Sequence, residues 1–186
     1  RNTWSWGDAG ARPVLRKAGS SIELDHHALG RRRLACEGAP ELLFTENETN
    51  CRRLYDSPNP TPYVKDGIND YVVHGVRDAV NPEQTGTKAA AHYTISLESG
   101  ETRSVRLRLQ PATAAGEPFG AAFDRIFADR MQDADDFYQT VIPRDLSRDA
   151  RNVMRQAFAG MLWFKQFYHY VVRDWLKGDP GLPAPP

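Results

Sequence analysis

The densest set of groups able to hold a sugar lies in residues 63–71, where Lys65, Asp66, Asn69 and Asp70 stand between Tyr63 and Tyr71 around Gly67. Carboxylates and amides hydrogen-bond hydroxyls, while aromatic faces cover the apolar C–H surface of a sugar ring. The same residues also fit a tight Asp-Gly turn with solvated charges, and both readings stay open. They do not meet the spacing of a calcium loop, which alternates ligands and closes on a distal glutamate. A second polar stretch, residues 41–50 (ELLFTENETN), places Glu46, Asn47 and Glu48 behind an apolar run. It offers sugar contacts or an acid/base pair, or else a loop whose polar groups satisfy local backbone. Neighbouring positions in sequence do not fix the separation that glycosidase carboxylates need. The third stretch holds Trp163, Lys165, Gln166, Tyr168, His169 and Tyr170. Helical spacing sets Lys165 and His169 one turn apart, towards a pocket or, as in most aromatic stripes, within a core.

Other chemistries lack a starting point. The sequence has no nucleophile elbow, P-loop or dinucleotide fingerprint, and no His/Cys set in zinc spacing. No metal or cofactor is expected. His26-His27, with Arg31-Arg32-Arg33 close behind, reads as a solvated turn, and Asn47-Glu48-Thr49 is a short sequon of the kind that arises by chance. Cys36 and Cys51 are expected to be two separate reduced thiols. Lys plus Arg and Asp plus Glu balance at 24 each, so no net field recommends nucleic acid or an anionic membrane as partner. No apolar run approaches the ~18 residues of a membrane span and no signal-peptide pattern opens the chain, which leads to an expectation of a cytoplasmic protein.

The elements that must position these groups follow from periodicity. With 186 residues the chain has room for one domain with a real hydrophobic core, or for one domain plus a short helical annex. Residues 22–24, 33–37, 42–45 and 71–76 read as strands, and residues 56–62, with three prolines, as an irregular loop. Residues 90–97 and 102–110 are expected to pair as a hairpin across the turn at Gly100. In the second arm Val105, Leu107 and Leu109 alternate with Arg106 and Arg108, which puts the apolar set on a buried face and implies a half-covered antiparallel sheet, hence a sandwich. After Pro111 the period changes. Phe119, Phe123, Phe127, Met131, Ala134, Phe137, Tyr138 and Val141 line one face of a helix that Pro143 ends. Ser147 is the expected N-cap of a second helix over residues 148–176, apolar on several sides and therefore in need of several neighbours. Residues 181–186 read as an extended linker. The start without Met and the uncompanioned last helix suggest a piece of a larger protein.

Five blocks together resemble bacterial proteins of glycoside hydrolase family 63, the mannosyl-oligosaccharide glucosidase-like group. They are residues 1–7 (RNTWSWG), 41–50, 62–71 (PYVKDGINDY), 80–83 (VNPE) with 85–90 (TGTKAA), and 160–176 (GMLWFKQFYHYVVRDWL). The resemblance implies an α+β chain: the later part of an N-terminal β-sandwich over 1–112, linker helices over 113–146, and over 147–186 the first helix of an (α/α)6 barrel with its tail. It further implies hydrolysis of α-glucosidic bonds with inversion, by an Asp acid and a Glu base on the barrel. Both lie outside the matched blocks, so no catalytic residue is carried over and the isolated chain is expected to be inactive. Two positions depart from the family pattern: Phe164 follows Trp163 where Ser is expected, and Val171 replaces an acid. The candidate substrate-binding residues are Lys65, Asp66, Asn69, Asp70, Glu46, Asn47, Trp163 and Lys165. The expected partners are an oligosaccharide or small glycoside, the barrel domain of the same parent, and a second copy through the apolar helix. The competing readings are a carbohydrate-binding module, marked by an aromatic platform on one sheet face, and a structural interaction domain, marked by an exposed apolar patch over residues 163–175.

Overall fold

The computed structural model describes residues 12–165, 168 and 170–185. Among the described residues, seven strands, five α-helices and a 3-10 turn form an α+β arrangement that divides into two units, residues 12–118 with 172–185, and residues 119–171.

In the first unit, short segments bounded by turn residues make two antiparallel sheets. Strands β1 (Val14–Ala18), β2 (Ser21–His26), β3 (Gly30–Cys36), β5 (Thr85–Gly86) and β7 (Leu107–Pro111) form the larger, in the order β5-β1-β2-β3-β7. Strands β4 (Glu41–Thr45) and β6 (Lys88–His92) form the smaller. Positive φ at Gly19 (62°) and Gly30 (67°) lets the chain reverse between β1, β2 and β3, where a side chain would be strained. β4 is apolar without alternation because both of its faces are covered. Leu42 and Phe44 pack with Ile22 and Cys36 of the larger sheet, flanked by Leu15, Leu34, Ala89, Ala91 and Tyr93. Leu43, on the opposite face, packs with Ile68, Tyr71 and Val80. Cys36 and Cys51 are buried free thiols.

Residues 71–76 are not a strand. They complete helix α2 (Gly67–His74), which buries Tyr71 and packs Ile68 at i, i+3 while Val72 and Val73 stay exposed. Gly75, at φ 69°, closes it with an N–H bond to the Asp70 and Tyr71 carbonyls. That glycine is the helix-stop signal which outweighed the β-branched composition. The expected hairpin is also absent: β6 pairs with β4 (Ala90↔Leu43) and β7 with β3 (Leu109↔Leu34), so its two arms lie in different sheets. The expected burial along β7 is reversed. Leu107 and Leu109 are exposed, whereas Arg106 pairs with Glu37 and Arg108 donates to the Pro118 carbonyl at 3.1 Å. β7 is an edge strand, and the apolar cluster reaches Leu34 but not its cross-strand neighbour Leu109.

In the second unit, α3 (Ala121–Val141) and α4 (Arg148–Phe164) follow the expected period, and the Ser147 hydroxyl accepts from the Ala150 N–H as the N-cap. Arg155 of α4 pairs with Asp135 of α3 and lies 4.8 Å over the Tyr138 ring. The single helix expected over residues 148–176 is not found among the described residues: α4 ends at Phe164, Lys165, Tyr168, Tyr170 and Val171 are not helical, and α5 covers Val172–Lys177 in the first unit. The aromatic and β-branched run in residues 163–172 has weak helix propensity. No residue of α3 or α4 is buried, so tertiary packing does little to offset that weakness.

Candidate functional site

The two polar loops singled out in the sequence meet. The Glu46 N–H donates to the Tyr63 carbonyl at 2.8 Å, and the Lys65 N–H to the Glu48 carbonyl at 2.9 Å. A third segment joins them: the Asn81 N–H donates to the Phe44 carbonyl (2.8 Å), and the Asn47 N–H to the Thr87 hydroxyl (2.7 Å). Thr87 donates in turn to the Glu46 carboxylate at 2.6 Å. β4 is the axis of this arrangement, since its buried run fixes where the 46–50 loop leaves the core.

Within the cluster the carboxylates are occupied. Asn50 caps helix α1 (Cys51–Tyr55) by accepting from the Arg53 N–H, and its amide donates to Asp66 at 3.1 and 3.2 Å. The Arg53 guanidinium donates to Asp66 at 2.6 Å and to Asp70 at 2.7 Å. The Asp70 hydrogen bond, followed by the fields of Asp66 and Asp70, raises the Arg53 pKa and holds its proton more firmly. Asp66 sits at the N-cap position of α2, yet its side chain faces Asn50 and Arg53 instead of the helix N–H groups. The Lys65 ammonium donates to the Thr49 hydroxyl at 3.1 Å. Asn69 is exposed on the same helix. Glu48 is buried at 8% exposure, with Arg12 at 3.5 Å.

Six of the eight candidate residues, Glu46, Asn47, Lys65, Asp66, Asn69 and Asp70, thus belong to one neighbourhood of the first unit. Trp163 and Lys165 belong to the second unit, with Trp163 at 79% exposure. Gln166 and His169 lie outside the described residues. Sequence reasoning missed Arg53, the cation that organises the loops. Its position three residues after the N-cap Asn50 was visible, but its reach to residues 66 and 70 depends on the fold. Replacing Arg53 with Ala is expected to lower the urea denaturation midpoint of the first unit, since it strips two half-buried carboxylates of their partner while solvent screens part of the loss. Urea denaturation measures this, and an unchanged midpoint would contradict the role.

A second cluster was also missed because it is assembled by strand register. Glu41 stands opposite His92 across β4 and β6. The Tyr71 hydroxyl donates to one oxygen of Glu41, and His92 Nδ1 lies 2.9 Å from the other. Arg77 donates to Tyr71 Oη and sits 4.6 Å over its ring. The Tyr71 and His92 hydrogen bonds, with the Arg77 charge, hold the Glu41 carboxyl below its ordinary range. A depressed folded pKa gives stability that is complete above the unfolded value of ~4.3 and is lost as pH falls through the folded one. Glu41→Gln should therefore lower stability at pH 7 and flatten its decline between about pH 5 and pH 3. Thermal melts across that window test the sign. Among the described residues, no three His, Cys, Asp or Glu side chains are grouped to hold a metal ion, and no helix is long and apolar enough to cross a membrane.

The chain is similar to a yeast protein. It is 41% identical over 158 residues to the uncharacterized protein YMR196W of Saccharomyces cerevisiae, a match that covers 79% of this chain and 14% of that protein. The chain therefore spans about one seventh of the relative's length. No family model and no solved structure matches it.

Proposed function

We propose that this chain is the scaffold and one pocket wall of a longer inverting glycosidase that acts on α-linked glucosides or oligosaccharides, with the catalytic acid and base supplied by another region of the polypeptide. The observation that carries this reading is the convergence of residues 41–50, 62–71 and 80–90. These blocks carry the resemblance to glycoside hydrolase family 63, and they are tied to one another by backbone and side-chain hydrogen bonds. In this reading Arg53 orients the loop through Asp66 and Asp70, and the exposed Lys65 and Asn69 face the sugar. The packing of the β4–β6 pair on the larger sheet supports a partial β-sandwich. The exposed apolar side chains of α3 and α4, Phe127, Met131, Met161, Leu162 and Phe164 among them, support the packing of these helices against a further helical domain. The small share of the yeast relative that the chain covers agrees with a multidomain parent. In a parent carrying Asn69→Ala and Lys65→Ala, the KM for an α-glucoside should rise about tenfold with kcat little changed, since such contacts bind substrate and transition state alike. An unchanged KM would remove these loops from the pocket.

One observation favours a second reading, a structural interaction domain. Met161, Leu162, Trp163 and Phe164 are 59–79% exposed in consecutive positions, a patch suited to a second copy of the chain. Sedimentation of the chain distinguishes the two, because a concentration-dependent dimer abolished by Trp163→Glu supports the interaction domain. Among the described residues, the strands of the larger sheet, β1, β2, β3, β5 and β7, contain no Trp, Tyr or Phe, so they lend no support to a carbohydrate-binding module with an aromatic platform there.

A further inference from the structure

We propose that the cleft between α3 and α4 binds a small phosphate monoester, a property independent of the glycosidase reading. The cleft encloses about 240 Å3 and lies wholly within the second unit. Its walls carry Arg148, Arg151 and Arg155 against one carboxylate, Asp135. Arg155 is already engaged, paired with Asp135 and stacked on Tyr138. Among the described residues neither Arg148 nor Arg151 forms an ion pair, which leaves two cations without a counter-charge on one wall. They stand at i and i+3 in the first turns of α4, so they share a face and repel each other until an anion lies between them.

The ligand class follows from this arrangement. Guanidinium forks match the oxygens of a phosphate in paired hydrogen bonds, and the positive end of α4 adds to the same field. Gln139 and Asn152 also line the cleft, and their amides can donate to and accept from hydroxyl groups. The volume falls below the ~300–1,000 Å3 of most small-molecule sites, which suits a body no larger than one sugar ring. A dianionic head on Arg148 and Arg151 with a hydroxylated body on Gln139 and Asn152 uses the cations and the amides that line the cleft.

Isothermal titration of the whole 186-residue chain at low salt tests this, with inorganic phosphate, glucose 6-phosphate and glucose as probes. Both anions should bind, glucose 6-phosphate at least as tightly as phosphate, and glucose should not. Arg148→Gln and Arg151→Gln should each weaken binding by about tenfold, a loss of ~1.4 kcal/mol. Arg125→Gln, on α3 outside the cleft, should leave affinity unchanged, and circular dichroism should show equal helix content in all variants. Failure of both anions to bind, or equal affinity in the double Arg148→Gln, Arg151→Gln variant, would overturn the site. Binding of phosphate without glucose 6-phosphate would overturn the assignment to a monoester.

Discussion

Phe44→Ala should lower the stability of the first unit by about 3–5 kcal/mol, the range for truncating a fully buried aromatic side chain. Phe44 has no solvent exposure and packs among Ile22, Cys36 and Leu42, where the two sheets share one core. Removing the ring leaves a cavity that strands on both sides can only partly close, and the loss is a large part of the ~5–15 kcal/mol that holds an ordinary domain together. The effect should reach the loops, because the Phe44 carbonyl receives the Asn81 N–H that anchors residues 80–90. Amide hydrogen exchange of β2, β3 and β4 reads this core separately from the helices, and all three should lose protection together. Phe164→Ala serves as the control. At 79% exposure its truncation should change stability by less than about 0.5 kcal/mol. Equal effects at the two positions would contradict the placement of the core at β4.

The second large effect is expected at Gly67. A Cβ there would stand 2.2 Å from the Ala79 carbonyl oxygen and 3.2 Å from its carbon, so Gly67→Ala drives a methyl group into backbone instead of a movable side chain. Overpacking of this kind costs typically about 1–3 kcal/mol, and the upper end is expected where the obstructing atom is a carbonyl. Gly86 is under the same constraint, with a Cβ position 2.3 Å from the Thr45 carbonyl oxygen. Relief at Gly67 requires α2 to move away from the 3-10 turn at Arg77–Ala79, which would carry Asp66 and Asp70 off Arg53. The variant should therefore show a lowered denaturation midpoint together with a loss of the additional penalty of Arg53→Ala. Additive losses from Gly67→Ala and Arg53→Ala in a double-mutant cycle would show that the glycine does not position the loop.

The parts of the fold legible in the sequence were those set by local period. Strands β2, β3 and β4 follow from short runs bounded by turn residues, helix α3 from three-and-four spacing, and the start of α4 from a single capping hydroxyl. The failures share a cause, which is that pairing and coverage are not local. The alternation in Val105, Leu107 and Leu109 is real, yet an apolar face is buried only where another layer reaches it, and β7 lies at the edge. Residues 71–76 have strand composition, but Ile68 and Tyr71 are the side chains that meet Leu43, and their separation of three selects a helix. Gly67 has the sequence context of a turn residue, whereas its φ lies outside the left-handed region and its role is to let α2 approach Ala79.

The candidate site divided in the same way. The polar loops were conspicuous as composition, and the structure unites them. That Arg53, Asn50 and Thr87 tie them together could be read only after β4, β6 and α2 were placed. The Glu41, Tyr71, Arg77 and His92 cluster was invisible for the same reason, as its members are spread over 51 positions and meet through one register pair.

The most direct test of the central reading is hydrolysis of a panel of α-linked glucosides and mannosides by the full-length parent polypeptide and by the 186-residue chain, with the anomer of the released sugar followed by NMR. The account predicts that the parent cleaves an α-glucoside and releases the β anomer first, while the chain alone cleaves nothing. A parent that hydrolyses no member of the panel, one that releases the α anomer first, or a 186-residue chain that hydrolyses unaided would contradict it.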